Sequence, residues 1–402
     1  YKAIGQLDAA VKSFEKALAI KPDYTEVNYN LGVTLKELGQ VDAAVKCYEK
    51  ALAVKPDYVD AHYNLGNAFK ELGQLEAAVK SFEKALAIKP DSANAHNNLG
   101  NALTDLGQLD AAVKCYEKAL AVKPDYVEAH NNLGVTLKEL GQLDDAVKCY
   151  EKAVALKPDF ADAYANYGNV LKDLKRLDEA LASYESASAL DPDLDYHLGN
   201  VLNTKMRLCL WDDLANRLNE LANKINDGKK VIRPFRLLAL IDDPEIQRKT
   251  AEIYVNDKYQ QSHVLPKIEG YPKHKKIRIG YFSADFRDHP AAYLTAELYE
   301  IHDRERFEIH AFSFGPDTKD EMNLRIKVGV DHFHDVRTMS YEDAAMLARS
   351  VELDIAVDLG GYTRHCRPNI FAEGSAPIQV SYLGYPGTMA ADYMDYLIAD
   401  RT

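Results

Sequence analysis

A chain of 402 residues, 47% hydrophobic and 28% charged, is long enough for two or three packed domains. Its net charge of −13 argues against a surface built for nucleic-acid phosphates or anionic lipid, so neither is an expected partner. No apolar run approaches the roughly 18 residues of a membrane-spanning helix, and no signal peptide is visible. The five cysteines include no CxxC pair, and Cys47, Cys115 and Cys149 recur at one repeat position. They read as reduced thiols, and a cytoplasmic location is expected.

Proline recurs at Pro22, Pro56, Pro90, Pro124, Pro158 and Pro192, an unbroken spacing of 34 residues. That period, with helical patterning, identifies tetratricopeptide repeats, each a helix–turn–helix unit that buries its apolar face only by stacking. With each proline as the thirty-second position, full repeats run 25–58, 59–92, 93–126, 127–160 and 161–194. Residues before 25 fit the second part of an earlier unit, so the sequence reads as a fragment that opens inside a helix. The packing code is plain. Gly32, Gly66, Gly100, Gly134 and Gly168 at position 8 face an aromatic plug at position 24, which is Tyr48, Phe82, Tyr116, Tyr150 or Tyr184.

Position 6 is Asn30, Asn64, Asn98, Asn132 and Asn166. It lies about 100° around the helix from position 7 and so outside the packing stripe. An amide there, with one acceptor and two donors, suits the backbone of an extended peptide, although asparagine is also common at this position in ordinary repeats. His62, His96 and His130 at position 4 read as packing residues, not metal ligands.

After Asp195 the period fails. Residues 195–276 read as a helical adapter, with apolar spacing in Leu208, Leu210, Leu214, Leu218 and Leu221, a further helix pair from Arg233, and a linker from Pro266 to Lys276. From Ile277 short apolar strands alternate with amphipathic helices. Strands are predicted at Ile277–Ser283, Phe307–Phe314, His332–Val336, Asp354–Leu359, Ile378–Leu383 and Tyr396–Ala399, with helices near 290–302, 320–329 and 341–352. This is the pattern of a parallel sheet covered on both faces, a Rossmann-like lobe over 277–402. Ligands of such sheets bind outside the carboxyl ends of the strands. Three of those loops are chemically loaded: Ala284–Pro290, Gly360–Pro368 and Gly384–Thr388. No GxGxxG or phosphate-loop motif accompanies them, so this lobe is not expected to hold a nucleotide alone.

The segments Ser283-Ala-Asp-Phe-Arg-Asp-His-Pro290, Asp358-Leu-Gly-Gly-Tyr-Thr363 and Ala376-Pro-Ile-Gln-Val-Ser-Tyr-Leu-Gly-Tyr-Pro-Gly-Thr388, behind a repeat array, resemble the O-linked N-acetylglucosamine transferase and SPINDLY family of protein glycosyltransferases. The resemblance implies an α-solenoid of repeats (1–194), an adapter (195–276) and the first α/β lobe of a GT-B-type catalytic unit. It implies inverting transfer of a sugar from a nucleotide donor to serine or threonine hydroxyls of intracellular proteins, without metal or other cofactor. By the same match His289 sits beside the donor sugar, its role open between general base and positioning. Tyr362, Thr363, Leu383, Gly384, Pro386, Gly387 and Thr388 line the donor-sugar cleft, and the asparagine ladder grips the acceptor polypeptide. Tyr362 replaces the histidine of some relatives, so a histidine role there is absent. The family's second lobe, which holds the nucleotide and neutralises its leaving diphosphate, lies beyond Thr402. The fragment alone is therefore expected to be inactive and to bind sugar nucleotide only with that lobe. UDP-N-acetylglucosamine is the expected donor and GDP-fucose the alternative; a homodimer through the repeats is a further option. The competing reading is a non-enzymatic repeat adapter.

Overall fold

The computed structural model describes residues 6–262, 264–268 and 270–399. The start of the expected partial repeat and the last three residues of the expected lobe lie outside the described residues. The chain divides into two compact units, the first ending at Pro192 and the second starting at Asp193.

The first unit is a stack of antiparallel helix pairs. Leu7–Ile20 precedes Thr25–Glu37 with Val41–Val54, Val59–Glu71 with Leu75–Ile88, Ala93–Asp105 with Leu109–Val122, Val127–Glu139 with Leu143–Leu156, and Ala161–Asp173 with Leu177–Leu190. Each position-8 glycine lies directly under its aromatic plug. A Cβ on Gly100 would stand 2.6 Å from the Tyr116 ring, and one on Gly168 would stand 2.6 Å from Tyr184. The plugs are fully buried, which is why a side chain is missing from one helix wherever a ring occupies the other. The repeated histidines staple successive units. Nε2 of His62, His96 and His130 each lies 2.9 Å from the carbonyl oxygen of the preceding repeat's proline, and Asn28 makes the same bond to Pro22 at 3.0 Å. Cys47, Cys115 and Cys149 are free thiols whose pKa values burial raises, that of Cys149 to about 11.

The turn between paired helices needs a left-handed residue. Gly39, Gly73, Gly107 and Gly141 supply it at φ between 72° and 77°, but the fifth repeat has Lys175 at φ 63°. A side chain in that conformation costs about 1 kcal/mol or more. Lys175→Gly is expected to stabilise the array by about that amount, read as a higher midpoint in urea.

The second unit is a six-stranded, all-parallel sheet in the order β3-β2-β1-β4-β5-β6. The strands are β1 (Ile277–Ser283), β2 (Phe307–Ser313), β3 (His332–Asp335), β4 (Ile355–Asp358), β5 (Ile378–Tyr382) and β6 (Tyr396–Ile398). Each lies within one residue of its predicted limits. Helices Pro290–Ile301 and Glu321–Gly329 cover one face through Tyr299, Ala296 and Ile326.

The other face is covered by Tyr341–Ser350 and also by adapter residues. Tyr196, Ala251, Tyr254 and Val255 share one buried cluster with Phe282, Phe312, Tyr362 and Tyr385. The adapter is thus a layer of the α/β unit and not an independent body. Its helices are His197–Arg207, Leu214–Asn226, Pro234–Leu237 and Pro244–Lys258. Leu208 and Leu210 fall in the turn after the first of these, where Cys209 takes φ 57°, so the expected apolar stripe is broken there. Among the described residues of 264–276 there is no regular element, yet the segment is fastened to the lobe. Arg349 donates to the Pro266 carbonyl at 2.7 Å, and His274 lies 2.9 Å from Glu352 and 3.3 Å from Asp354.

Candidate active site

The strand order reverses between β1 and β4, which connect outward in opposite directions. The carboxyl ends of these two strands leave the crevice where doubly wound sheets bind ligands. The loops after β1, β4 and β5 all emerge at this edge, so the topology brings His289, Thr363 and Gly384 to the same end of the sheet.

They are pressed together backbone on backbone. A Cβ on Gly384 would lie 1.9 Å from the carbonyl oxygen of Leu359, and one on Gly315, after β2, would lie 1.7 Å from that of Ala284. Gly361 combines φ +55° with a close approach to Tyr385, whose Cβ stands 2.4 Å from where its own would be. Leu383, at the end of β5, holds a left-handed φ of 68° despite its side chain. Strain of this kind persists only where the surroundings impose it.

The loop after β1 is clamped by the β2–β3 connection. Asp320 accepts from the Asp288 N–H at 2.9 Å, and buried Asn323 donates to the Phe286 carbonyl at 2.6 Å. The loop ends at His289, which caps the helix Pro290–Ile301 by accepting from the Ala291 N–H through Nδ1 at 3.2 Å. The ring's other nitrogen is Nε2. That nitrogen has no hydrogen-bond partner among the described residues, and the side chain is 38% exposed. The Nδ1 atom also lies 3.7 Å from a carboxylate oxygen of Asp285.

In the loop after β4, Asp358 is buried and accepts from the N–H groups of Gly360 and Gly361 at 2.8 and 3.1 Å. Burial pushes its carboxyl up to about 6, partly offset by those two bonds. The folded chain then keeps the proton at pH values where the unfolded chain has released it, so stability falls as pH rises through this window. Relative to Asp358→Asn, the wild type is expected to lose about 3 kcal/mol between about pH 4 and 7, at roughly 1.4 kcal/mol per unit. Urea unfolding of both proteins across that range measures it.

Tyr362 is placed differently from its expected role. Its side chain is in the core, stacked on Tyr259 at 5.8 Å, edge-on to Tyr254 at 5.1 Å, with its hydroxyl donating to the Met389 carbonyl at 2.6 Å. Only its backbone is left for the loop surface, because the ring ties the adapter to the loops after β4 and β5. Thr363 closes its own turn by donating to the Gly360 carbonyl at 2.7 Å. Pro386 and Thr388 are exposed and Gly387 is half-buried. Arg367 is not free to meet a phosphate, since it donates to the carbonyls of Val336 and Met339 at 2.9 and 2.7 Å.

The asparagine ladder is not a row of idle amides. Asn64 donates to the Tyr29 hydroxyl at 2.9 Å, and Asn98 donates both to Tyr63 and to Asn67 at 2.9 and 2.8 Å. Asn132 donates to Asn97 and Asn101 at 3.2 and 3.0 Å, and Asn166 to Asn131 at 3.2 Å. The amide donors of these four residues bind the preceding repeat, and Asn30 is exposed. The oxygens of Asn98 and Asn132 in turn accept from Asn97 and Asn131 at 3.2 and 3.5 Å. The partners at position 5 (Tyr29, Tyr63, Asn97, Asn131) vary between tyrosine and asparagine and so carried no visible pattern.

The sequence model of glycosyl transferase family 41 matches residues 250–402. The TPR repeat model matches five overlapping segments from 1 to 175, and a tetratricopeptide repeat model matches 161–194. An Arabidopsis thaliana protein named as a probable UDP-N-acetylglucosamine–peptide N-acetylglucosaminyltransferase SEC is 34% identical over 218 residues, covering 50% of this chain and 22% of that protein. A Caenorhabditis elegans UDP-N-acetylglucosamine–peptide N-acetylglucosaminyltransferase is 38% identical over 131 residues, covering 31% of this chain and 11% of that protein. This chain thus matches about a fifth or less of these relatives' length. A solved O-GlcNAc transferase mutant from Thermobaculum terrenum shares 25% identity over 77% of this chain and 54% of that one, with a TM-score of 0.49.

Proposed function

Residues 250–402 match the sequence model of glycosyl transferase family 41, and from that premise we infer that the chain serves a protein O-glycosyltransferase. In this reading it transfers N-acetylglucosamine from UDP-N-acetylglucosamine to serine or threonine hydroxyls, with the repeats holding the acceptor polypeptide. The observation that carries the reading is the switch point. At that edge the loop after β5 packs on the end of β4 and the loop after β2 on the end of β1, backbone against backbone, and the helix cap His289 stands at the same end of the sheet. A scaffold terminus needs neither. The names of the relatives favour UDP-N-acetylglucosamine over GDP-fucose as donor.

The test is label transfer by the complete product of the gene that encodes these residues. Radiolabelled UDP-N-acetylglucosamine should label protein serine or threonine, and GDP-fucose should not. Transfer from GDP-fucose alone would reassign the donor, and no transfer from either would favour the adapter reading. No metal is expected to be required for transfer, so activity should survive a chelator.

For the repeats, changing Asn98, Asn132 and Asn166 together to Ala is expected to weaken long acceptors while sparing donor hydrolysis. Because the same amides bridge repeats, the array should also lose about 1 kcal/mol per removed pair. Unchanged use of long and short acceptors, with the stability loss alone, would make the ladder purely structural.

A further inference from the structure

At the opposite end of the sheet from the loops lies a cluster that the proposed transfer does not use. β3 is the edge strand, and His332 is the register partner of His310 on β2. The two-residue period of a strand puts Glu308 and His310 on one face of β2, with His332 and His334 beside them on β3. Glu308 pairs in register with Arg278, next to the start of β1, so this cluster sits toward the amino ends of the strands.

We propose that Glu308, His310 and His332 bind a divalent transition-metal ion of the zinc class, clipping the edge strand β3 to β2. The Glu308 Oε1 atom stands 3.1 Å from His310 Nε2 and 3.3 Å from His332 Nε2, and the three donor atoms all lie within 4.8 Å of one another. A tetrahedral ion with ligands at about 2.0–2.1 Å separates its ligand atoms by roughly 3.3 Å, so two of the three edges already have the required length. The outer contacts fit as well. His310 Nδ1 lies 3.0 Å from His334 Nε2, which can accept its proton once Nε2 holds the ion. Arg278 Nε lies 3.7 Å from the other side of Glu308 and holds that carboxylate in place.

His310 is buried, whereas His332 is 52% exposed, so an ion can enter from solvent and keep a water in its fourth position. Two imidazoles with one carboxylate favour zinc, nickel or copper over magnesium or calcium. Without an ion the same atoms form a hydrogen-bonded histidine–glutamate network, which is the alternative that the experiment must separate. The site is remote in the sheet from the glycine-rich loops, and its role is to hold strands, so metal-independent transfer is unaffected by it.

The chain, stripped with a chelator, is titrated calorimetrically with Zn²⁺ and separately with Ca²⁺. One zinc per chain at micromolar affinity or better is expected, with a rise in thermal midpoint and no calcium binding. Co²⁺ should give the visible ligand-field bands of a tetrahedral site. His332→Ala removes an exposed side chain and should weaken zinc at least about 10-fold and abolish the thermal shift. Glu308→Gln, which keeps the shape, should do the same, and His130→Ala in the repeats should leave zinc affinity unchanged. Zinc binding as tight in His332→Ala and Glu308→Gln as in the wild type would place the ion elsewhere. Absence of saturable zinc binding by the wild type would leave only the hydrogen-bonded network. Either result overturns the proposal.

Discussion

Gly384→Ala is expected to lower the unfolding free energy by about 3 kcal/mol and to reduce transfer by the complete gene product about 100-fold or more. The added methyl would stand 1.9 Å from the Leu359 carbonyl oxygen, and backbone cannot swing aside as a side chain can. The Leu359 N–H is in turn held by the Phe282 carbonyl at 3.1 Å, so relieving the clash disturbs the ends of both β1 and β4. Those ends carry the two loops that flank the switch point. Gly329→Ala is the control, because its nearest neighbour, the Glu300 side chain, would be 3.4 Å away. Melting curves and label transfer measure both effects. If Gly384→Ala behaves like Gly329→Ala, the loops yield more readily than their packing implies.

The second large effect is at His289. Replacement with Ala should lower transfer about 100- to 1000-fold, since a positioned hydrogen-bonding group at the reacting sugar is worth that much. The same change removes a helix cap, with a loss of about 1 kcal/mol. His289→Asn separates the two roles. Its short amide can cap the Ala291 N–H and restore stability, but it cannot reach as far as imidazole Nε2 does, so transfer should stay low. Recovery of transfer together with stability would reduce His289 to a structural cap. Wild-type turnover by His289→Ala would remove it from the site.

Tyr362 and the asparagine ladder show how tertiary contacts reassign residues that a motif marks out. Tyr362 lies in a loop motif, and nothing local says that its ring will be stacked on Tyr259, more than a hundred residues earlier. The ladder amides sit outside the intrahelical packing stripe, as their position requires, but their donors are used by partners in the preceding repeat. Asp358, Gly361 and Tyr385 support the site and were not singled out as residues with a role. Their signal was present as adjacency to the glycine pair and to the Leu-Gly-Tyr-Pro-Gly-Thr run. Gly315, Asp320 and Asn323 had weaker signals, a glycine after a strand and an aspartate three residues before an asparagine.

The sequence by itself determined the repeats, their boundaries and the six strands, because these depend on periodicity. A 34-residue period fixes which helices stack, and short β-branched runs between amphipathic helices leave a parallel sheet as the way to bury both. It also determined which loops carry glycine, proline and histidine. Tertiary structure alone decided the strand order, and with it the switch point where those loops meet. It decided that the adapter joins the sheet as a layer, since the β5–β6 connection contains no helix to cover that face and Tyr254 and Val255 fill the space. It also brought His310 and His332 into register across two strands. Such pairings depend on contacts between residues far apart in the chain, which no local period encodes.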